Sequence, residues 1–172
     1  MEIKEIIVEL KNNNHAHFNV FYEMTKRQVY FSAITILKNH ENALDIMQDT
    51  YISFLNHITD FDSKRNVYAY LSTISRNLSI NFYNKNKKII KDNEFIDWQK
   101  GEYKDPYMES NIKAILDLLD NEVDKEIVVY HAIWDYKFKD IASILNKPLG
   151  TVIWQYNRAM KILRERIEEN EK

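Results

Sequence analysis

Cysteine is absent from this sequence, and glycine and proline occur only twice each in 172 residues. Without cysteine, the chain can form neither disulfides nor thiolate metal sites, which fits a reducing compartment. Scarce glycine and proline leave few positions that break a helix, so the composition predicts a mostly helical protein. Charged residues interrupt the apolar ones throughout residues 1–14, which predicts neither a signal peptide nor a membrane span. We therefore expect a cytoplasmic protein without membrane insertion.

Charge changes sign halfway through residues 39–91. The first half, residues 39–63, has no Lys or Arg and five acids: Glu41, Asp45, Asp49, Asp60 and Asp62. The second half, residues 64–91, has no acid and seven bases: Lys64, Arg65, Arg76, Lys85, Lys87, Lys88 and Lys91. Four aromatic residues accompany these bases: Tyr68, Tyr70, Phe82 and Tyr83. Because phosphates attract Lys and Arg and bases stack on rings, the pattern predicts two partners, the second being nucleic acid.

Apolar residues at steps of three and four predict helices in the first half of the chain. Residues 16–39 predict one or two helices, and Asn42 is the predicted N-cap of the next one. The predicted buried stripe of that helix is Leu44, Met47, Tyr51, Leu55 and Ile58. A second face with the same spacing is polar, acidic and predicted to be solvated; it consists of Asp45, Gln48, Asp49 and Ile52.

Residues 59–66 predict a polar loop around Phe61, and a long helix is predicted from Val67 onward. The predicted core stripe of the long helix is Leu71, Ile74, Leu78 and Phe82. Five other residues are predicted to lie off that stripe: Ser72, Ser75, Arg76, Ser79 and Tyr83. A basic tail, residues 85–91, ends the helix.

The remaining residues predict an acidic linker followed by a second helical unit. Residues 92–111 hold six acids against two Lys, together with Phe95, Trp98, Tyr103 and Tyr107. Two later helices, joined by the tight turn of residues 146–150 with Gly150 at its end, match helix-turn-helix spacing. We therefore predict an all-α protein of two small domains, residues 1–91 and 112–172, joined by a linker at 92–111.

Two blocks of this sequence resemble bacterial RNA polymerase sigma factors of the sigma-70 family, in their small extracytoplasmic-function (ECF) group. The first block, similar to region 2, is ENALDIMQDTYISFLNHITDFDSKRNVYAYLSTISRNLSINFYNKNKK. The second, similar to region 4, is LLDNEVDKEIVVYHAIWDYKFKDIASILNKPLGTVIWQYNRAMKILRERI. The blocks follow the order of the family. The resemblance implies an alternative sigma factor that binds core polymerase and recognises and melts promoter DNA.

The resemblance also implies roles for individual residues of the first block. It assigns binding of core polymerase, at the clamp helices of the largest subunit, to Asp45, Gln48, Asp49 and Ile52. It assigns contacts with the −10 element to the loop Phe61, Asp62, Ser63, Lys64, Arg65 and Asn66, and to Tyr68, Tyr70, Arg76, Asn77, Lys85, Lys87 and Lys88. Tyr70 stands where the family usually has Trp, and Asn81 where Asp is usual. A loop that captures a flipped base is physically sensible, because an unstacked base needs a pocket outside the duplex.

In the second block, the resemblance assigns contacts with the −35 element to Thr151, Trp154, Gln155, Arg158 and Lys161. The polymerase flap is a further implied partner, and an anti-sigma factor is a possible one. This helix departs from the family at four positions where bases or small polar residues are common: Ile153, Trp154, Met160 and Ile162. Its apolar side chains could instead pack against protein.

Catalysis, metals and cofactors have little support in the sequence. No Gly-rich phosphate loop or recognisable catalytic triad occurs, and the scattered His residues do not form a zinc pattern. We therefore predict no enzyme activity, no catalytic or metal site and no cofactor. Two alternatives remain at this point: a sigma-like DNA-binding regulator without polymerase docking, and a protein-interaction module.

Overall fold

The computed structural model describes the backbone of residues 1–92 and 105–172, and the side chains of residues 1–87 and 105–172. These ranges are helical and contain no β-strand, so the predicted all-α class is confirmed. The chain divides into two compact units, Met1–Asp105 and Pro106–Lys172. Phe95, Trp98 and Tyr103 of the predicted acidic linker lie outside the described residues.

The first unit is built around its second helix. Its elements are α1 (Ile3–Lys11), α2 (Phe18–Leu37), α3 (His40–Asn56), a 3-10 turn (Ile58–Asp60) and α4 (Val67–Asp92). Helix α2 contacts each of the other three helices. Its side chains Val29, Tyr30 and Ala33 are completely buried. Because three helices pack against α2, most of its circumference is apolar.

Helix α1 has no counterpart among the predicted elements. It begins with a capping box, in which the Glu2 backbone N–H donates to Glu5 Oε2 at 2.8 Å. Ile6, Ile7 and Leu10 are buried on one side of α1, and the helix contacts both α2 and the 3-10 turn. The three buried residues are one and three positions apart, which is the spacing of a short amphipathic helix.

Helix α3 buries a different arc from the one predicted. Its N-cap is Asn39, whose side chain accepts from the Asn42 N–H at 2.9 Å, so the prediction of Asn42 as N-cap was wrong. Leu44 is 40% exposed, whereas Met47 and Tyr51 are buried as predicted. Thr50 takes a core position because its hydroxyl donates to the Ile46 carbonyl at 2.7 Å, which satisfies it inside the helix. The full buried set of α3 is Ala43, Ile46, Met47, Thr50, Tyr51 and Phe54.

Helix α4 packs through serines instead of the predicted apolar stripe. Leu71 is buried as predicted, but Ile74, Leu78 and Phe82 are only half-buried. Ser72, Ser75 and Ser79 are completely buried. The Ser75 hydroxyl donates to the Val29 carbonyl of α2 at 2.8 Å, and Ser79 donates to the Ser75 carbonyl at 2.8 Å. Small side chains let the two helices approach closely, and these bonds remove the cost of burying the hydroxyls.

The second unit contains four further helices. They are α5 (Ser110–Leu116), α6 (Glu122–Val128), α7 (Phe138–Leu145) and α8 (Leu149–Asn170), and a π-helical turn (Val129–Ile133) extends α6. The α7–α8 turn reverses at Asn146, which has φ 50°, while Gly150 lies inside α8 without a positive φ. The residue of the predicted turn that adopts the left-handed conformation is therefore Asn146, because asparagine tolerates it.

An apolar groove of about 510 Å³ runs between α5, the end of α6 and α8. Ile115 and Ile167 line it and are partly exposed.

Within the described residues, no helix is both long and apolar enough to cross a membrane.

We predict that Ser75→Leu lowers the free energy of unfolding by about 2–4 kcal/mol, because it overpacks the α2–α4 contact and removes a buried hydrogen bond. Denaturant unfolding followed by circular dichroism measures this change. Ser143→Leu is the matched control, since Ser143 is an exposed serine within a helix and should change stability by less than about 0.5 kcal/mol. Equal effects of the two substitutions would contradict the serine packing.

Candidate nucleic-acid interface

The exposed side of α3 combines acids with apolar residues. Asp45, Gln48 and Asp49 are exposed, and Ile52 is 50% exposed. Leu44, which was predicted to be buried, lies on the same side at the i, i+4, i+8 spacing of Leu44, Gln48 and Ile52. Neither Asp45 nor Asp49 forms an ion pair with any described residue. Exposed Leu44 and Ile52 gain no hydrophobic stabilisation in water, and no described residue neutralises the carboxylates of Asp45 and Asp49. These residues and Gln48, together called the α3 face, therefore suit a protein partner.

The loop between α3 and α4 is anchored by Phe61. The Phe61 ring is 3% exposed and lies 5.7 Å from the Phe54 ring and 4.9 Å from the Tyr70 ring, centroid to centroid. The Lys11 ammonium of α1 donates to the Phe61 carbonyl. A ring buried in this cluster holds the loop from the inside. The predicted −10 contact of Phe61 stays a prediction.

Two polar side chains shape the rest of the loop. Asp62 Oδ1 accepts from the Lys64 N–H at 2.9 Å, which forms a local turn. Asn66 Oδ1 accepts from the Tyr68 and Ala69 N–H groups at 3.0 and 3.2 Å, so Asn66 caps α4. These bonds explain why α4 begins where the sequence predicted.

Between these two turns, the loop presents cations. Lys64 and Arg65 are exposed, and Ser63 is half-buried. The Arg65 guanidinium lies 5.4 Å from the centre of the Tyr70 ring, within cation–π distance. Lys64 and Arg65 are thus the loop residues best placed to meet phosphate.

The start of α4 carries two half-buried tyrosines, Tyr68 and Tyr70. Burial raises the pKa of the Tyr68 phenol above its ordinary value, so the hydroxyl, which is already neutral at physiological pH, stays neutral to still higher pH. In this form Tyr68 can donate a hydrogen bond.

Farther along α4, the predicted DNA-contact residues differ in how exposed they are. Asn77, Lys85 and Lys87 are exposed, whereas Arg76 is only 9% exposed. Arg76 therefore lies largely within the bundle, and its DNA contact stays a prediction. The Lys88 side chain lies outside the described residues.

The predicted −35 residues lie on α8. Thr151, Trp154 and Lys161 are exposed, while Gln155 and Arg158 are half-buried. The Arg158 Nη2 donates to both carboxylate oxygens of Asp124, at 2.9 and 2.7 Å. Its guanidinium lies 4.6 Å from the centre of the Trp154 ring.

Three residues that help to form these surfaces were missed from the sequence: Lys11, Leu44 and Asp124. Lys11 could have been found from the capping box and apolar spacing of α1, which predict a helix beside the first domain. Asp124 gave no local signal, because its partner lies 34 residues away. In the described ranges, no group of three or more His, Asp or Glu is arranged to hold a metal ion.

We predict that Phe61→Ala lowers the free energy of unfolding by about 3–5 kcal/mol, the usual cost of removing a buried phenylalanine ring. Lys64→Ala, three residues along the same loop, should leave stability nearly unchanged because Lys64 is exposed. Denaturant titration of both variants tests this. If Phe61→Ala retained the wild-type stability, the ring could not be the anchor of the loop.

Comparisons with known proteins agree with this architecture. Residues 21–89 match the family model described as "Sigma-70 region 2", which spans α2 to α4 and their connecting loop. The RNA polymerase sigma factor SigV of Bacillus subtilis is 28% identical over 140 residues, covering 81% of this chain and 84% of the relative. The ECF RNA polymerase sigma factor SigW of the same organism is 26% identical, covering 98% of both chains.

Solved structures show the same fold at lower identity. The sigma factor RpoE of Bartonella quintana, determined in complex with the anti-sigma factor NepR, matches with a TM-score of 0.66 and 21% identity, covering 88% of this chain and 96% of the other. CnrH, determined in complex with the cytosolic domain of CnrY, matches with a TM-score of 0.62 and 17% identity, covering 96% and 97%.

The helices, the anchored loop and the matched residues together define a protein with a sigma-70 region 2. Relatives of one kind align along most of its length, and the chain is similar to the ECF-type sigma factors of the sigma-70 family.

Proposed function

We propose that this sigma factor directs promoter-specific transcription initiation by binding core RNA polymerase and by recognising and melting promoter DNA. The observation that carries the proposal is the joint presence, in one compact unit, of the α3 face and the cation-bearing loop before α4. A protein that only bound DNA would need no exposed acid–apolar surface of this kind. In this proposal the polymerase carries out catalysis. Core polymerase and promoter DNA are both cytoplasmic partners.

The α3 face is the proposed contact with the clamp helices of the largest polymerase subunit. Asp45 and Asp49 supply charge that a basic partner surface would neutralise, and Leu44 and Ile52 supply apolar area at the centre. Gln48 lies between them and can donate or accept a hydrogen bond. This mixture suits an interface that must form and dissociate, since it is less apolar than a permanent one.

The loop and α4 are the proposed contact with the −10 element. A melted strand exposes unstacked bases and retains its phosphates, so it needs both a rigid pocket and cations. Phe61 and Asn66 supply rigidity from inside the loop, whereas Lys64 and Arg65 supply charge. The exposed Lys85 and Lys87 continue this charge along α4.

The second unit is the proposed site for the −35 element and for the polymerase flap. Residues 141–164 contain no acid and four bases, Lys147, Arg158, Lys161 and Arg164, which favours a polyanionic partner for the start of α8. An anti-sigma factor is a further proposed partner of this chain, since the Bartonella quintana relative was solved in complex with one.

Run-off transcription on genomic DNA with core polymerase tests the proposal. Discrete transcripts that appear only when this protein is added would support it, and their start sites would reveal the promoter elements. If no transcript appears and the protein does not bind core polymerase, the proposal fails.

We predict that Asp49→Lys weakens core polymerase binding by at least about tenfold, or ~1.4 kcal/mol, because it replaces an attraction with a repulsion. Affinity measured with labelled protein and core enzyme checks this. Glu23→Lys is the control, since Glu23 is an exposed acid on α2 of the same unit. An equal loss for both variants would show a general charge effect and contradict a specific α3 contact.

We also predict that replacing Lys85 and Lys87 together by Gln flattens the salt dependence of holoenzyme–promoter binding. If each lysine meets one phosphate, the slope of log K against log salt should shrink by about 1.4–1.8. Lys4→Gln, at an exposed lysine of α1, should leave the slope unchanged. An unchanged slope for the double variant would remove these lysines from the DNA contact.

A further inference from the structure

The most exposed large aromatic side chain on α8 is Trp154, with 59% of its surface exposed. It shares one side of the helix with Thr151, Arg158 and Lys161, at the helical spacing of three, four and three residues. An indole left in water forgoes the stabilisation that burial would supply. The side chain is therefore available for a partner and does not serve the core of the second unit.

Arg158 cannot read a base in the usual manner of arginine. Such readout uses two parallel N–H donors on guanine O6 and N7, and a guanidinium offers two such donor pairs, Nη1 with Nη2 and Nε with one Nη. Here Nη2 is committed to both oxygens of Asp124, a side chain that is 2% exposed. Nε is buried, and no described residue accepts a hydrogen bond from it. Arg158 is thus turned toward the protein.

The same ion pair fixes the indole ring. The Arg158 guanidinium lies against Trp154 at 4.6 Å from the ring centroid, a cation–π distance. Asp124 is itself held in place, because its backbone N–H donates to the Asn121 side chain that caps α6. The chain Asn121–Asp124–Arg158–Trp154 therefore connects a helix cap to an exposed ring and limits the rotamers of the ring.

The surroundings of the ring determine which partner it meets. The neighbouring Lys147, Lys161 and Arg164, with no acid in residues 141–164, favour a polyanion over an apolar protein surface. In the major groove of DNA, the one apolar group on a base edge is the C5-methyl of thymine. An exposed ring rimmed by cations matches this combination of phosphate and methyl.

We infer that Trp154 is a specificity-determining residue that reads a thymine methyl in the −35 element, and that Arg158, held by Asp124, is its positioning residue. This inference rests on the proposed −35 contact of the second unit. It assigns Arg158 a role different from the direct DNA contact that the resemblance implied.

Thymine-to-deoxyuridine substitution tests the inference, because it removes only the methyl group. Each −35 thymine of a promoter mapped by run-off transcription is replaced in turn, on either strand, and holoenzyme affinity is measured. For the wild-type protein, we expect about a fourfold loss at one thymine, the value for one buried methyl group. Trp154→Ala should abolish this difference at that thymine, and Trp154→Phe should retain part of it.

Arg158→Lys tests the positioning role, because it keeps the charge but lacks the planar group that stacks on the ring. We expect the thymine-to-deoxyuridine ratio to fall below about twofold, while unfolding temperature and core binding stay near wild type. The control is Arg166→Lys, which alters a second arginine–aspartate pair, with Asp120, away from Trp154. If Arg158→Lys does not fold, Asp124→Asn provides the same readout.

Three results would overturn the inference. Wild-type holoenzyme that is insensitive to deoxyuridine at every −35 position shows that no methyl is read, even though transcription itself supports the proposed function. Loss of core polymerase binding in Trp154→Ala, with an unchanged ratio, makes the ring a protein contact. Absence of any transcript with the wild-type protein removes the proposed function and this inference with it.

Discussion

The close contact of α2 with α4 is the constraint on which the rest of the first unit depends. A hydroxyl of α4 reaches the backbone of α2 only because Ser75 and its neighbours Ser72 and Ser79 are small. This approach fixes the position of α4 and therefore of the loop that precedes it. It also leaves the larger side chains of α3, such as Phe54 and Tyr51, to fill the other side of α2. Shape, more than hydrophobicity, decides which face of α4 is buried.

Helix α3 joins the two surfaces on which the proposed function depends. Its outer side carries Asp49 and Ile52, while its inner side carries Phe54, which packs against Phe61 of the loop. A partner bound to the α3 face is therefore separated from the loop by one layer of aromatic side chains. Such a layer is closely packed and resists local displacement. This arrangement keeps the loop in a fixed position relative to whatever binds α3, as a base-capturing pocket requires.

The sequence was sufficient for the helical class and for the start of α4, because scarce glycine and a capping asparagine act locally. It failed where burial depends on a distant partner. Ser75 reads as a polar surface residue until the α2 backbone is placed beside it, and Phe61 reads as a loop aromatic until Phe54 and Tyr70 surround it. The turn before α8 was predicted at residues 146–150, but the sequence did not show that Asn146 is the residue that adopts the left-handed conformation. The α3 face was predicted more fully, because exposed acids need no partner within the chain.

Asp124 shows most clearly why a DNA-contact residue cannot be assigned from a local motif. Arg158 has the sequence position of a DNA contact, but a buried carboxylate 34 residues earlier occupies it. A methyl contact by Trp154 would discriminate between bases only about fourfold, whereas a good arginine pair contributes about 1–3 kcal/mol. If the second unit discriminates weakly, promoter choice depends more on the first unit, where Lys64, Arg65 and the anchored loop are proposed to contact the melted strand. On this reasoning, the rigidity supplied by Phe61 matters more to specificity than any single contact of α8.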